Sequence, residues 1–180
     1  TYVRCLILSS LENDSYLGAG FGDLRGFLAK LKDSPLYDQA LEIPGNLYWG
    51  IVDNDLLLAR VITDLATGES LGFFTVVFNG SRINQLINLN LQEFEDGQSY
   101  DNSPYTILIK ASGEILSSPF PKEQGEIINN FFEGTELTNL LQNKSPSGFF
   151  SDRLRNENLL VTYYKMPSRD WYLLGLSPHD

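Results

Sequence analysis

The order of elements repeats along this chain, and that repetition limits the possible folds more than any single motif does. "YVRCLILSS" reads as a strand, "LEND" as a turn and "SYLGAG" as a short returning strand, because alternating apolar positions bounded by turn residues mark paired strands. Phe21, Leu24, Phe27, Leu28 and Leu31 then recur at helical spacing until Asp33-Ser34-Pro35 stops them. "NLYWGIVD" is extended. "LLLARVITD" and "LGFFTVVFN" make a long hairpin across "LATGES", where Gly68 is expected to take a positive φ. A helix follows, with Ser81 as expected N-cap and Ile83, Leu86, Ile87, Leu91 and Phe94 on one face. After a polar loop over 95–104 the same order returns. "YTILIKASGEILSS" is a hairpin turning at Ser112-Gly113, "KEQGEIINNFFEG" and "TELTNLLQN" read as helical, "GFFSD" as a short strand, and "NLLVTYYKMPSRDWYLLGLS" as a second long hairpin.

Identity between the halves is negligible, so only the order of elements repeats. An antiparallel sheet of about five strands, joined by tight turns and flanked by helices, satisfies that order in each half. The expected architecture is two small α+β modules, residues 1–88 and 89–180, with one larger domain as the alternative. A chain of 180 residues with 42% hydrophobic content can supply one good core or two small ones.

Charge and residue usage remove several function classes. The net charge is -10, and the 13 basic residues are scattered, whereas a phosphate backbone or an anionic membrane surface needs clustered Lys and Arg. Nucleic acid is therefore not an expected partner. No apolar run approaches the roughly 20 residues of a membrane-spanning helix. The single cysteine, Cys5, lies in an apolar strand pattern and reads as a buried small hydrophobe. His179 is the only histidine, so His-assisted nucleophiles and zinc sites lack their residues. No catalytic residue, metal site or cofactor is expected.

Two motifs invite other readings. Gly18, Gly20 and Gly22 precede a helix, as in a dinucleotide-binding turn, but Asp23 stands where a third glycine is needed and would repel pyrophosphate. Asp53 and Asp55 open a calcium-loop-like run, yet Leu58 occupies the position that requires glycine. What stands out instead is an aromatic and polar set, Tyr37, Tyr48, Trp49, Asp53 and Arg60, with Thr75 among strand apolars. Aromatic walls with a few polar groups build small-ligand pockets. The same tyrosines and tryptophan would serve equally as core.

The segments "DSPLYDQALEIPGNLYWGIVDND", "ARVITDLATGESLGFFTVVFN", "ILIKASGEILSS" and "LLVTYYKMPSRDWYLLGLSP" together resemble the double Cache domain, a tandem PAS-like sensor of bacterial transmembrane receptors. The marks are the hairpin of Asp64, Thr67, Gly68 and Gly72, the Gly113-to-Ile115 hairpin, and the closing "DWYLLGLSP". The resemblance implies an extracytoplasmic, non-enzymatic domain of a membrane-anchored parent, most like a sensor histidine kinase. Chemoreceptors, diguanylate cyclases and membrane-bound transcription factors are alternatives. It implies a small-molecule partner in the first, membrane-distal module, and a possible homodimer in the parent. An interaction ectodomain without a small ligand is the alternative.

It also implies a long N-terminal helix along both modules, whose expected absence before Thr1 should leave an apolar groove, and a membrane expected just beyond Pro178. The family's Arg-x-Trp-Tyr stretch corresponds to "SPLY", with Leu36 for Trp and Tyr37 retained, and its strand Asp falls at Val77. A free α-amino acid would lack a partner for its ammonium there.

Overall fold

The computed structural model describes residues 1–20, 22–88, 103–154 and 157–179. Two compact units result, Thr1–Ile83 and Asn84–Asp180. The first contains β1 (Val3–Ser10), β2 (Tyr16–Gly20), α1 (Leu24–Lys32), α2 (Pro35–Glu42), β3 (Tyr48–Val52), β4 (Asp55–Thr63) and β5 (Ser70–Phe78). α3 (Gly80–Ile87) leads into the second, which contains β6 (Tyr105–Lys110), β7 (Ile115–Ser117), α4 (Glu136–Asn143), β8 (Ser147–Leu154), β9 (Glu157–Lys165) and β10 (Trp171–Pro178). The strand orders are β2-β1-β5-β4-β3 and β7-β6-β10-β9-β8, with every pairing antiparallel. These are the same order written twice, as the repeat of elements requires. The fold is that of tandem PAS-like modules.

Each sheet buries one face against helices. In the first unit, Cys5, Ile7, Leu57, Ala59, Val61, Phe73 and Val77 meet Phe27, Leu28 and Leu31 of α1 and Leu36 and Ala40 of α2. In the second, Ile107, Ile109, Val161, Tyr172, Leu174 and Leu176 meet Leu137 and Leu140 of α4. The opposite face of the first sheet is also apolar but open. Leu6 is 42% exposed and Leu71 50% exposed, and Leu8, Leu17, Ile62 and Leu71 border a cavity of about 490 Å³.

Local chemistry explains the helix ends, including two that the sequence pattern misplaces. Asp23 Oδ1 accepts the Gly26 N–H at 3.0 Å and caps α1, so the residue that spoils a dinucleotide turn starts a helix. Gly20, at φ 139°, runs so close to β1 that a Cβ would stand 2.4 Å from the Arg4 carbonyl oxygen. Gly68 takes the expected positive φ, at 76°. α2 was not expected, although Pro35 sits at its first position, where a missing N–H costs nothing. Ser81 is not the cap of α3. Asn79 Oδ1 takes that role by accepting the Arg82 N–H at 3.0 Å.

α3 also fails to bury the expected apolar face. Leu86 is 52% exposed, while Asn84 and Asn88 are buried. Asn88 explains this: its amide donates to the Thr106 carbonyl at 2.9 Å and accepts the Thr106 N–H at 2.7 Å, completing the edge of β6 beyond the short β7. Leu91, Phe94 and most of the expected 95–104 loop lie outside the described residues, as does Phe21. "KEQGEIINNFFEG" forms short 3-10 turns, Pro121–Glu123 and Ile128–Asn130, rather than a helix. Its backbone bonds go to the β6–β7 hairpin instead: Ile115 N–H to Glu126 O, Gly125 N–H to Ile115 O and Ile128 N–H to Gly113 O, at 2.8–2.9 Å.

Asp55 of β4 ties β1 to the start of α3. Its Oδ1 accepts the Gly80 N–H at 3.1 Å at the start of α3, and its Oδ2 pairs with Arg4 of β1. The side chain is only 9% exposed, so removing it strands a charge and an amide. Asp55→Ala is expected to destabilise the first unit by about 2–4 kcal/mol. Urea unfolding followed by Trp49 fluorescence in a Trp171→Phe background would measure it, and Asp55→Asn should lose less.

Candidate functional site

Strand register sorts the candidate residues onto two faces. Tyr48 pairs with Ala59, Ala59 with Thr75, and Thr75 with Ile7, so these four side chains form one row on the helix-covered face. Tyr37, on α2, reaches the same face and lays its ring on Phe73 with centroids 4.7 Å apart. Trp49 pairs with Leu58 and Leu58 with Val76, which puts Trp49 on the open face, stacked on Phe78 at 5.7 Å. Arg60 pairs with Phe74 and is exposed on that open face too. Asp53 lies on neither. Asp53 and Asn54, at φ 54° and 62°, form the two-residue turn between β3 and β4, and Asp53 Oδ1 holds Lys30 Nζ at 2.7 Å.

The structure thus brings together Tyr37, Tyr48 and Thr75, and separates them from Trp49, Asp53 and Arg60. The period-two rule applied to "YWGIV" already puts adjacent Tyr48 and Trp49 on opposite faces. Val77 is fully buried in the core.

The floor of the helix-covered face is made of small side chains. One row is Ile7, Thr75, Ala59 and Tyr48, and the next is Cys5, Val77, Leu57 and Gly50. β4 and β9 are equally long and each follows a tight turn, so the row of Ile7, Thr75, Ala59 and Tyr48 is matched in the second sheet by Tyr105, Leu176, Val161 and Phe150. Val161 stands where the first unit has Ala59, Leu176 where it has Thr75, and Tyr105 where it has Ile7. The same backbone lattice therefore carries smaller side chains at these three positions of the first unit.

Neighbours fill part of the space in the first unit. A Cβ on Gly50 would stand 3.2 Å from a Leu36 methyl, so Leu36 lies over that glycine. Thr75, 1% exposed, has no hydrogen-bond partner for its Oγ1 among the described residues. A buried hydroxyl left unpaired is destabilising, and it is the polar group on this floor that the sequence offered as a candidate. Ala59 and Gly50 were not singled out, because smallness signals space only once register sets residues side by side. Tyr48 spends its hydroxyl on the Ile43 carbonyl, at 3.5 Å.

Among the described residues, no group of three His, Cys, Asp or Glu side chains is placed to hold a metal ion, and no helix is long and apolar enough to cross a membrane. Burial pushes the Cys5 thiol above its ordinary pKa, only partly countered by the Arg4 charge. The thiolate is the reactive form, so Cys5 is expected to resist iodoacetamide at pH 8 in the folded protein and to label rapidly in urea. Mass spectrometry of the labelled chain reads this directly.

Solved structures place this fold among bacterial sensory domains. The ligand-binding domain of the Pseudomonas aeruginosa PAO1 amino acid chemoreceptor PctB, in complex with L-Arg, matches with a TM-score of 0.62 at 15% identity, over 98% of this chain and 71% of that one. The periplasmic sensory domain of the Campylobacter jejuni chemoreceptor Tlp1 matches with a TM-score of 0.67 at 12% identity, over 98% and 73%. The extracellular domain of rpHK1S-Z16, a protein named as a histidine kinase, matches with a TM-score of 0.62 at 10% identity, over 99% and 72%. No family model matches the sequence, and no curated protein does. At these identities the likeness establishes the tandem Cache fold and no more.

Proposed function

We propose that this chain, which carries the tandem PAS-like fold of bacterial sensor ectodomains, is itself the non-enzymatic, extracytoplasmic sensing part of a membrane-bound signalling receptor, a two-component histidine kinase in the closest reading. Its first unit accepts a small molecule on the helix-covered face. The observation that carries this is the contrast in side-chain volume between the sheets: Ile7, Thr75 and Ala59 in the first, against Tyr105, Leu176 and Val161 in the second. A ligand needs concave space walled by aromatics with few polar groups, and the first unit has the smaller residue at each of those three positions, with Tyr37 and Tyr48 beside them. The solved structures of similar fold, named as ligand-binding, sensory or extracellular domains of chemoreceptors and a histidine kinase, support the class. Binding that favours one of two conformations would pass a signal onward through the second unit.

A second reading has its own observation. The open face of the first sheet exposes Leu6, Leu8, Ile62 and Leu71, a patch of the kind that meets another protein. It would make this an interaction ectodomain.

A metabolite screen by thermal melting separates the two, since a molecule that binds only the folded state raises the melting temperature. Ala59→Leu fills the floor and should abolish the shift, at a stability cost of about 1–3 kcal/mol from overpacking. Trp49→Ala, on the open face, and Tyr164→Phe, in the second unit, should keep it. A shift lost with Trp49→Ala but kept with Ala59→Leu moves the site to the open face and overturns this reading.

A further inference from the structure

Building on that reading of the first unit, we infer that its ligand is uncharged, apolar over most of its surface, and carries one group that hydrogen-bonds to Thr75 Oγ1. An alcohol, an amide or a ring with a single polar substituent fits this description.

Ile7, Leu57, Phe73 and Val77 are at most 1% exposed and wholly apolar, and the neutral form of Cys5 is favoured by its burial. From above, α1 and α2 contribute Phe27, Leu28, Leu31, Leu36 and Ala40. One carboxylate does share this face. Asp55 stands four residues along β4 from Ala59, but its two oxygens are already held by Arg4 and by the Gly80 N–H. The other candidate charges are elsewhere, Asp53 with Lys30 at the turn and Arg60 on the open face.

An ion entering here would lose its hydration and find no free counter-charge among these residues, which a neutral molecule avoids. Thr75 offers one donor and two acceptor lone pairs, so a single polar group satisfies it. Leu36 is the side chain that must yield, because its methyls occupy the space above Gly50.

Three probes that share a ring and differ in charge test this: benzyl alcohol, benzoate and benzylamine. Binding to the purified chain would be titrated by ligand-observed NMR. Benzyl alcohol should bind at least tenfold more tightly than either ion. Thr75→Val should weaken it about three- to tenfold, Thr75→Ser should retain it, and Leu36→Ala should tighten it.

If benzoate or benzylamine binds more tightly than the alcohol and Ala59→Leu removes that binding, the site stands and the inference about charge is overturned. Equal affinity in Thr75→Val and wild type overturns the role of the hydroxyl. If no probe binds either wild type or Leu36→Ala, the inference fails, and the metabolite screen decides the broader reading separately.

Discussion

Packing volume on the helix-covered face is the constraint on which the rest of this molecule depends. Antiparallel pairing fixes the lattice of both sheets, and each must seal one face against helices to exclude water from its apolar side chains. What the lattice leaves free is the size of the side chains at its centre. In the second unit, Tyr105, Leu176 and Val161 fill the central row. In the first, the smaller Ile7, Thr75 and Ala59 hold the same places, and the helices must come close or a guest must intervene. Leu36 over Gly50 and Tyr37 on Phe73 are the close approach seen here.

Polar groups are arranged around that constraint. Asp55 collects Arg4 from β1 and the first turn of α3, so the charge nearest the end of the floor is neutralised within the scaffold. Asn88 does similar work at the edge of β6, where its amide replaces a missing strand. Both are fully engaged, as buried polar groups must be. Thr75 departs from the rule on the floor of the first unit. Tyr172 also keeps a buried hydroxyl without a partner among the described residues, but there the ring that carries it takes up the room in front of the sheet.

Much of the architecture was legible because period-two alternation and turn chemistry are local. "LLLARVITD" and "LGFFTVVFN" announce a hairpin without any knowledge of their partners, and Gly68 marks its turn. Errors arose where non-local bonds override local pattern. Glu126 and Ile128 look helical, yet their backbone groups bond to the β6–β7 hairpin. Leu86 looks like a core residue, yet Asn88 turns the helix to clamp Thr106. The candidate site was half legible. Residue type pointed to Tyr37, Tyr48 and Thr75, but it also gathered Trp49, Asp53 and Arg60, which are close in sequence and point elsewhere. The small residues escaped notice, since Ala59 and Gly50 carry no chemistry until a register sets them in adjacent rows of one floor.

The central claim is that the first unit, through its small-residue floor, is where a small molecule is held. Methyl-resolved NMR tests it most directly, with the molecule that most raises the melting temperature as titrant. The account predicts shifts concentrated at the Ile7, Ala59 and Thr75 methyls, with those of Ile107 and Leu174 unmoved. Shifts confined to Ile107 and Leu174, or to Leu6 and Leu8 on the open face, would contradict it.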